Sequence, residues 1–404
     1  MKWCFRKVIL RPESGVAVHK TRASSQFTPT LDYLPGSTVR GAYAQLFINK
    51  RSVKDEAFQQ IFVEEKVRFS DFLPSNIENS THPPVLLPMS ASACKREKLK
   101  HLDSLRDRLI SQYSASRDSH KEQDKCPIED CGEPLDRMEG KYLQSLEKPE
   151  PEAVEYSKQL RMHVGISRAT GSTIHALLFS HQLLSKKIKW VRENGILELA
   201  QKDLFFVGTL AAPESEAEAL FAAIDQVVSQ REHLSIGASK TRGLGEFVIQ
   251  RMEINNDNHH ADDFEARWKA FNVKFAGKAD SAEKCFFSLT LLSNLALRDK
   301  MGKPVLDEIQ PKHLNLPQEC KLEAAFLNRT IVSGWNAAQG LPKPDTVALA
   351  RGSVLLLSAP KQVEQTHLKE KLMQLEHEGF GERRAEGFGA IAVCHPFHTN
   401  FAKE

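Results

Sequence analysis

Three sets of residues in this 404-residue chain have the types and spacing to do chemistry. The first is sulfur. Cys126 and Cys131 are separated by four residues and followed by Gly132, a turn that can aim two thiolates at one zinc ion, and Cys94 and His101 upstream supply a second pair. His120 is the alternative histidine. The second set is two glycine-rich stretches. Gly237 to Gly245 carries Lys240, Arg242 and Gly243, and Gly379 to Gly389 carries Phe380, Arg383, Arg384, Gly387 and Phe388. Glycine lets a backbone come close to a phosphate and present its N–H groups, while the basic side chains add charge. Each stretch leads from a helix into a strand, so neither is a dinucleotide fingerprint or a Walker P-loop, which run from strand into helix.

The third set lies nearer the N-terminus and in the middle of the chain. Pro35 to Gly41 reads as a helix start rich in small residues, with Ser37 or Thr38 as N-cap and Arg40 in the first turn, where backbone donors and a guanidinium can receive an anion. His163 and Arg168 flank a glycine-containing strand-to-loop segment, where an imidazole can stack on a base and an arginine can hold a phosphate. Tight turns, a capped helix and a packed histidine are the ordinary alternatives for these features. A nuclease that works without metal would choose His19, beside Lys20 and Arg22, or His163, near Arg161, as general acid or base. Neither has a second histidine at helical spacing, and the chain holds no His-Asp dipeptide and no Gly-Gly-Asp-Asp motif, so binding without catalysis is the leading reading.

The elements that must position these residues show in the hydrophobic pattern. Trp3 to Val18 alternates as a strand, followed by the helix that begins near Ser37. From about residue 84 to 150 long charged stretches interrupt the pattern, and an insertion is expected there. It is too polar to bury a core of its own, so a metal would supply its folding energy. Strands are expected at Leu160 to Ser167 and Leu204 to Leu210, a helix at Glu214 to Ser229, and then the first glycine-rich loop. Asn255 to Asp263, rich in Asn, His and Asp, reads as a linker. The second half repeats the order with strands at Cys285 to Leu297 and Ser353 to Ser358, a helix from Lys361 to Glu378 and the second glycine-rich loop. This internal repeat of about 140 to 150 residues fits a duplicated domain, not a solenoid.

Composition bounds the partners. With 55 basic against 52 acidic residues the formal net charge is only +3, so a nucleic-acid face must be local. The N-terminus has no continuous apolar stretch and no run approaches the roughly 20 residues of a membrane span, so a soluble, cytosolic protein is expected, with no membrane partner. Seven cysteines, an odd number spread from Cys4 to Cys394, argue against a secreted disulfide framework.

Taken together, the two glycine-rich loops, Leu34 to Gly41, Arg161 to Gly171, Gly340 to Pro344 and Arg351 to Val354 resemble the motifs of the RAMP superfamily, the RNA-binding proteins of CRISPR systems. Within it the chain is most similar to the Csx-ten (Cas-five-like) family of type III-D effectors. The resemblance implies an α+β fold of tandem ferredoxin-like (RRM-like) domains, residues 1–254 with the insertion and residues 255–404. It points the same way for the metal, since Cys94, His101 and the Cys131 to Leu135 run are similar to a zinc-binding insertion, and zinc would be structural. It implies a non-catalytic subunit that caps the repeat-derived 5′ tag of a guide RNA through Ser37, Arg40, His163, Arg168, Lys240, Arg242, Gly243, Gly245, Arg383, Arg384, Gly387 and Phe388. Its partners would be the large polymerase-like subunit and the backbone RAMP subunits. The alternative is a metal-independent endoribonuclease that processes the guide precursor.

Overall fold

The computed structural model describes residues 2–20, 26–78, 83–97, 101–115, 125–146, 152–188, 191–193, 196–198, 202–228, 232–255, 264–275, 283–307, 309–336, 339–362 and 365–402. Arg22, His120 and residues 256–263 of the expected linker lie outside them. The first half runs β1 (Trp3–Pro12), α1 (Gly36–Lys50), β2 (Arg68–Phe69), β3 (Leu73–Ser75), then the insertion with β4 (Ala91–Cys94), β5 (Arg106–Asp107), α2 (Leu109–Ala115) and β6 (Leu135–Arg137). A hairpin of β7 (Lys158–Ile166) and β8 (Thr173–Leu184) follows, then β9 (Phe205–Pro213), α3 (Glu214–Val227), β10 (His233–Ser235) and β11 (Glu246–Asn255). The second half runs α4 (Phe264–Val273), β12 (Lys284–Leu291), β13 (Lys321–Phe326), β14 (Arg329–Asn336), β15 (Leu341–Leu349), β16 (Val354–Pro360), α5 (Gln365–Glu378), β17 (Ile391–Val393) and α6 (Phe397–Asn400).

The fold is mixed α+β. The first sheet has the order β10-β11-β1-β9-β2, with β3 also on β9, and its pairings are antiparallel, Val8 lying opposite both Gly208 and Met252. α3 buries Ala217, Leu220, Phe221, Ile224 and Val227, one stripe at helical spacing, and Glu214 and Glu216 in its first turn suit the dipole. That stripe meets Val39, Tyr43 and Phe47 of α1 and Val8, Leu10, Phe206 and Leu210 of the sheet in one core. The second sheet has the order β13-β16-β12-β17, and β16 is buried from Val354 to Ala359, as a central strand must be. Its core gathers Phe264, Trp268 and Phe271 of α4 and Leu368 and Leu372 of α5.

The two halves differ. Among the described residues no α-helix separates β12 from β13; the stretch holds a 3-10 turn at Pro311–Leu314, and a helix packs instead from before β12. Pro304, Pro311 and Pro317 explain the difference, since each removes a donor and bars a helix interior. The segment expected as a strand at Leu160 to Ser167 is β7, which pairs with β8 outside the main sheet and leaves Leu160, Met162, Val164 and Ile166 exposed. The insertion, in sequence part of the first half, docks on the second. Leu109, Ile110 and Tyr113 of α2 enter the second core, and Asp107 accepts from the fully buried His398, whose other ring nitrogen meets Thr290 at 2.8 Å.

Candidate nucleic-acid interface and metal site

The start of α1 departs from expectation. The helix begins at Gly36 after Pro35, with no side-chain cap from Ser37 or Thr38; instead the Gly36 N–H donates to Asp71 Oδ1 at 3.0 Å. A Cβ on Gly36 would lie 2.1 Å from Phe69 O, 2.8 Å from Glu386 O and 2.9 Å from Ser70 O, so the helix end is pressed against β2 and the second glycine loop. An anion cannot enter there. Ser37 is half-buried, and Arg40 turns aside to donate to Phe62 O and to pair with Glu65 at 3.6 Å. The Gly36 N–H and one end of the Arg40 guanidinium are therefore engaged within the protein, which leaves less of this helix start for an anion than the sequence led one to expect.

The second glycine loop is likewise largely engaged within the protein. Gly387 has φ +90°, and a Cβ there would meet Phe69 O at 2.6 Å. Arg383 donates to Glu386 Oε2 (2.6 Å) and Thr346 Oγ1 (3.2 Å) and lies 4.3 Å from the Phe388 ring centroid, and Lys343 holds the other Glu386 oxygen at 2.8 Å. Those cations keep the Glu386 carboxyl low although burial opposes them. Phe388 is 7% exposed and packs with Ala296 and Ala348, and Phe380 packs on the second core, so neither ring is an open platform. Arg384 faces solvent, with a long 3.5 Å bond to Glu378 O, as does the acidic Glu382. The loop is a wedge between the halves.

Behind it lies a buried ionic junction that the sequence did not announce. Arg351 pairs with Asp71 at 3.4 Å and lies 3.8 Å from the Tyr33 ring centroid, while Tyr142 and Tyr156 each donate to Asp32 at 3.0 Å. Burial pushes the Asp71 carboxyl up to about 6, partly offset by Arg351 and the Gly36 N–H.

The first glycine loop is different. Lys240, Thr241, Arg242 and Gly243 are exposed, Ser239 and Gly243 have left-handed backbones, and nothing lies within 4 Å of a Cβ on Gly243. Gly245 serves the turn itself, since a Cβ there would lie 2.0 Å from Ile236 O. The loop abuts the β7–β8 hairpin, whose register sets His163 opposite Phe179 and Arg161 opposite His181 on one face. His163 stacks on Phe179 (centroids 5.1 Å apart, 15° between planes), His181 meets both edge-on, His19 stacks on His181 (5.3 Å, 2°), and the Arg242 guanidinium is 5.6 Å from the Phe179 centroid. Desolvation lowers all three imidazoles, with His181 acting further on His19, His163 and Arg242 on His181, and Arg242 and Arg161 on His163. His19 and His163 are thus brought together, as neither's sequence context required. Phe179 and His181 were missed; the signal available was their two-residue spacing on a strand facing the His163 strand. Arg168 sits exposed in the turn joining β7 to β8.

The four candidate metal ligands converge. The ligand atoms of Cys94, His101, Cys126 and Cys131 all lie within 4.8 Å of one another, with Cys94 Sγ to Cys131 Sγ at 3.6 Å and Cys126 Sγ to His101 Nδ1 at 3.4 Å. Tetrahedral zinc with bonds of about 2.0 to 2.3 Å places its ligands roughly 3.3 to 3.8 Å apart, so this donor set is compatible with zinc. Burial raises the Cys94 thiol, but backbone hydrogen bonds at Glu97 and Arg96 and those from Cys131 and His101 outweigh it and bring it down to about 7.

The chain is thus of α+β architecture, with an exposed basic loop beside a hairpin that carries His163, Phe179 and His181. Its residues 18–248, more than half of its length, match the RAMP superfamily, and the chain belongs to that superfamily. Residues 269–395 match a CRISPR-associated protein family, Cas_Cmr3. No curated protein matches. Among solved structures, a chain of type III-B Cmr-beta bound to cognate target RNA and AMPPnP is similar at 11% identity and TM-score 0.40, over 87% of this chain and 86% of that one. A chain of Cmr-beta bound to cognate target RNA is similar at 11% identity and TM-score 0.42, over 89% and 88%. No described helix is long and apolar enough to cross a membrane.

Proposed function

We propose that this RAMP protein is a subunit of a CRISPR type III effector that holds the repeat-derived 5′ tag of the guide RNA without cutting it. The observation that carries the reading is the exposed pair Lys240 and Arg242 beside the half-exposed, stacked rings of His163 and Phe179, where phosphate-binding charge adjoins aromatic faces. Arg168 is exposed in the turn at the end of the same hairpin. The strand orders β11-β1-β9-β2 and β17-β12-β16-β13 support tandem ferredoxin-like domains, the second without its first helix. Similarity to Csx-ten points to type III-D, whereas residues 269–395 match Cas_Cmr3, so the proposal is made at the level of a type III subunit. The large polymerase-like subunit and a backbone RAMP subunit are the proposed protein partners, and a structural zinc held by Cys94, His101, Cys126 and Cys131 the proposed cofactor.

Lys240→Ala with Arg242→Ala should weaken binding of repeat-derived guide RNA and flatten its salt dependence. Unchanged affinity and salt slope in filter binding would remove the face from the site. The proximity of His19, His163 and His181 favours one second reading, metal-independent RNA cleavage by paired imidazoles. Incubation of pure protein with repeat RNA in EDTA separates the two, because the holding reading requires the RNA to stay intact.

A further inference from the structure

We infer that His19, His163 and His181 form, with Arg242, a seat for one RNA phosphodiester that takes up a proton when it is filled. The inference rests on the RNA-holding reading and adds residues and a regulation to it. Three imidazoles on two structural elements and a loop are packed ring to ring. His19 comes from the segment after β1, His163 from β7 and His181 from β8, with neighbouring centroids 5.3 and 5.4 Å apart. The charges acting on them are one another, Arg161 on β7 and Arg242 on the glycine loop. Lys158, further along β7, is turned to Thr30 O at 3.4 Å.

Buried ring nitrogens without a partner give the second observation. Nε2 of His19, Nε2 of His163 and Nδ1 of His181 are shut from solvent and make no hydrogen bond among the described residues, and His181 as a whole is 8% exposed. A buried ring nitrogen of this kind favours the neutral imidazole, because protonation would put an N–H there with no acceptor. A phosphodiester monoanion against this face supplies the missing acceptor. It favours the protonated form of the nearest ring, so the proton enters with the anion and binding tightens as pH falls. Packing against Phe179 confines the effect to this face: His163 stacks flat on that ring, and Arg242 approaches the same ring.

The experiment is calorimetric titration of the protein with a single-stranded oligoribonucleotide of the repeat-derived 5′ end, in PIPES and in imidazole buffer at fixed salt from about pH 6 to 7.5. The two buffers differ in ionisation enthalpy, so the apparent heats report proton uptake without any mutation. About one proton per RNA is expected, with affinity rising up to about tenfold per pH unit where uptake is complete. His163→Gln with His181→Gln should lose the pH slope. Binding with equal heats in both buffers, or a slope unchanged in the variant, overturns the proton-linked seat and leaves RNA holding intact. No binding at any pH overturns both.

Discussion

Gly36→Ala is the sharpest test of how the motif at Pro35 to Gly41 works. In a helix alanine is favoured over glycine by up to about 1 kcal/mol. At position 36, however, the new Cβ would stand 2.1 Å from Phe69 O, with Glu386 O and Ser70 O also inside 3 Å. All three are backbone oxygens. The end of α1 must back away by about 1 Å to restore contact distance, which stretches the 3.0 Å bond from Gly36 N–H to Asp71 and parts α1 from the second glycine loop. Losing a hydrogen bond to a charged group costs about 1.5 to 3 kcal/mol, and overpacking adds about 1 to 3, so a net loss of about 2 to 5 kcal/mol is expected. Gly41→Ala is the internal control: the same helix, an exposed position, and nothing within 4 Å of the new Cβ. It should gain up to about 1 kcal/mol. Urea unfolding of both variants reads the contrast. Equal stabilities would refute the wedge and return the helix start to the pool of open anion sites.

Three further outcomes follow from the described contacts. Purified protein should carry about one equivalent of zinc, and Cys126→Ser with Cys131→Ser should abolish it; because α2 enters the second core, metal loss should also lower the melting temperature of that half, which would stay unchanged if the insertion were independent. Asp71 has a folded pKa of about 6, above its ordinary 3.8, so its favourable contribution is present below about pH 4 and lost as pH rises through 6. The stability of Asp71→Asn relative to wild type should therefore improve by about 3 kcal/mol between pH 4 and pH 7, and a flat difference would show that the carboxyl is not raised. Phe388→Ala should cost stability, at the lower end of about 3 to 5 kcal/mol given its small neighbours, while Arg384→Ala should leave stability unchanged; RNA affinity lost with a native melt for Phe388→Ala would restore the stacking role.

Much of the fold was legible because it is periodic. Alternation marks β1, the apolar run marks β16, and the stripe at Ala217 to Val227 marks α3. Of the candidate metal cluster, the pair Cys126 and Cys131 was legible because their chain spacing brings them close, whereas Cys94 and His101 join them only through the folded insertion. What the second glycine loop does was not legible, since glycine, arginine and phenylalanine make an exposed cradle and a buried wedge alike; Glu386, which ties Arg383 and Lys343, decides between them only once the loop is folded. His181 and Phe179 join His163 through hairpin register, a one-residue slip of which would turn them to the other face. The docking of the insertion on the second half depends on Asp107 and His398, which are 291 residues apart.

The most direct test of RNA holding by this face is ultraviolet crosslinking of the full-length protein to repeat-derived guide RNA, with the crosslinked peptides identified by mass spectrometry. Crosslinks should concentrate in residues 158–184 and 237–245, with Phe179 and His163 foremost, and be sparse in residues 379–389. Crosslinks that gather in 379–389 and spare the hairpin and the first loop would contradict it.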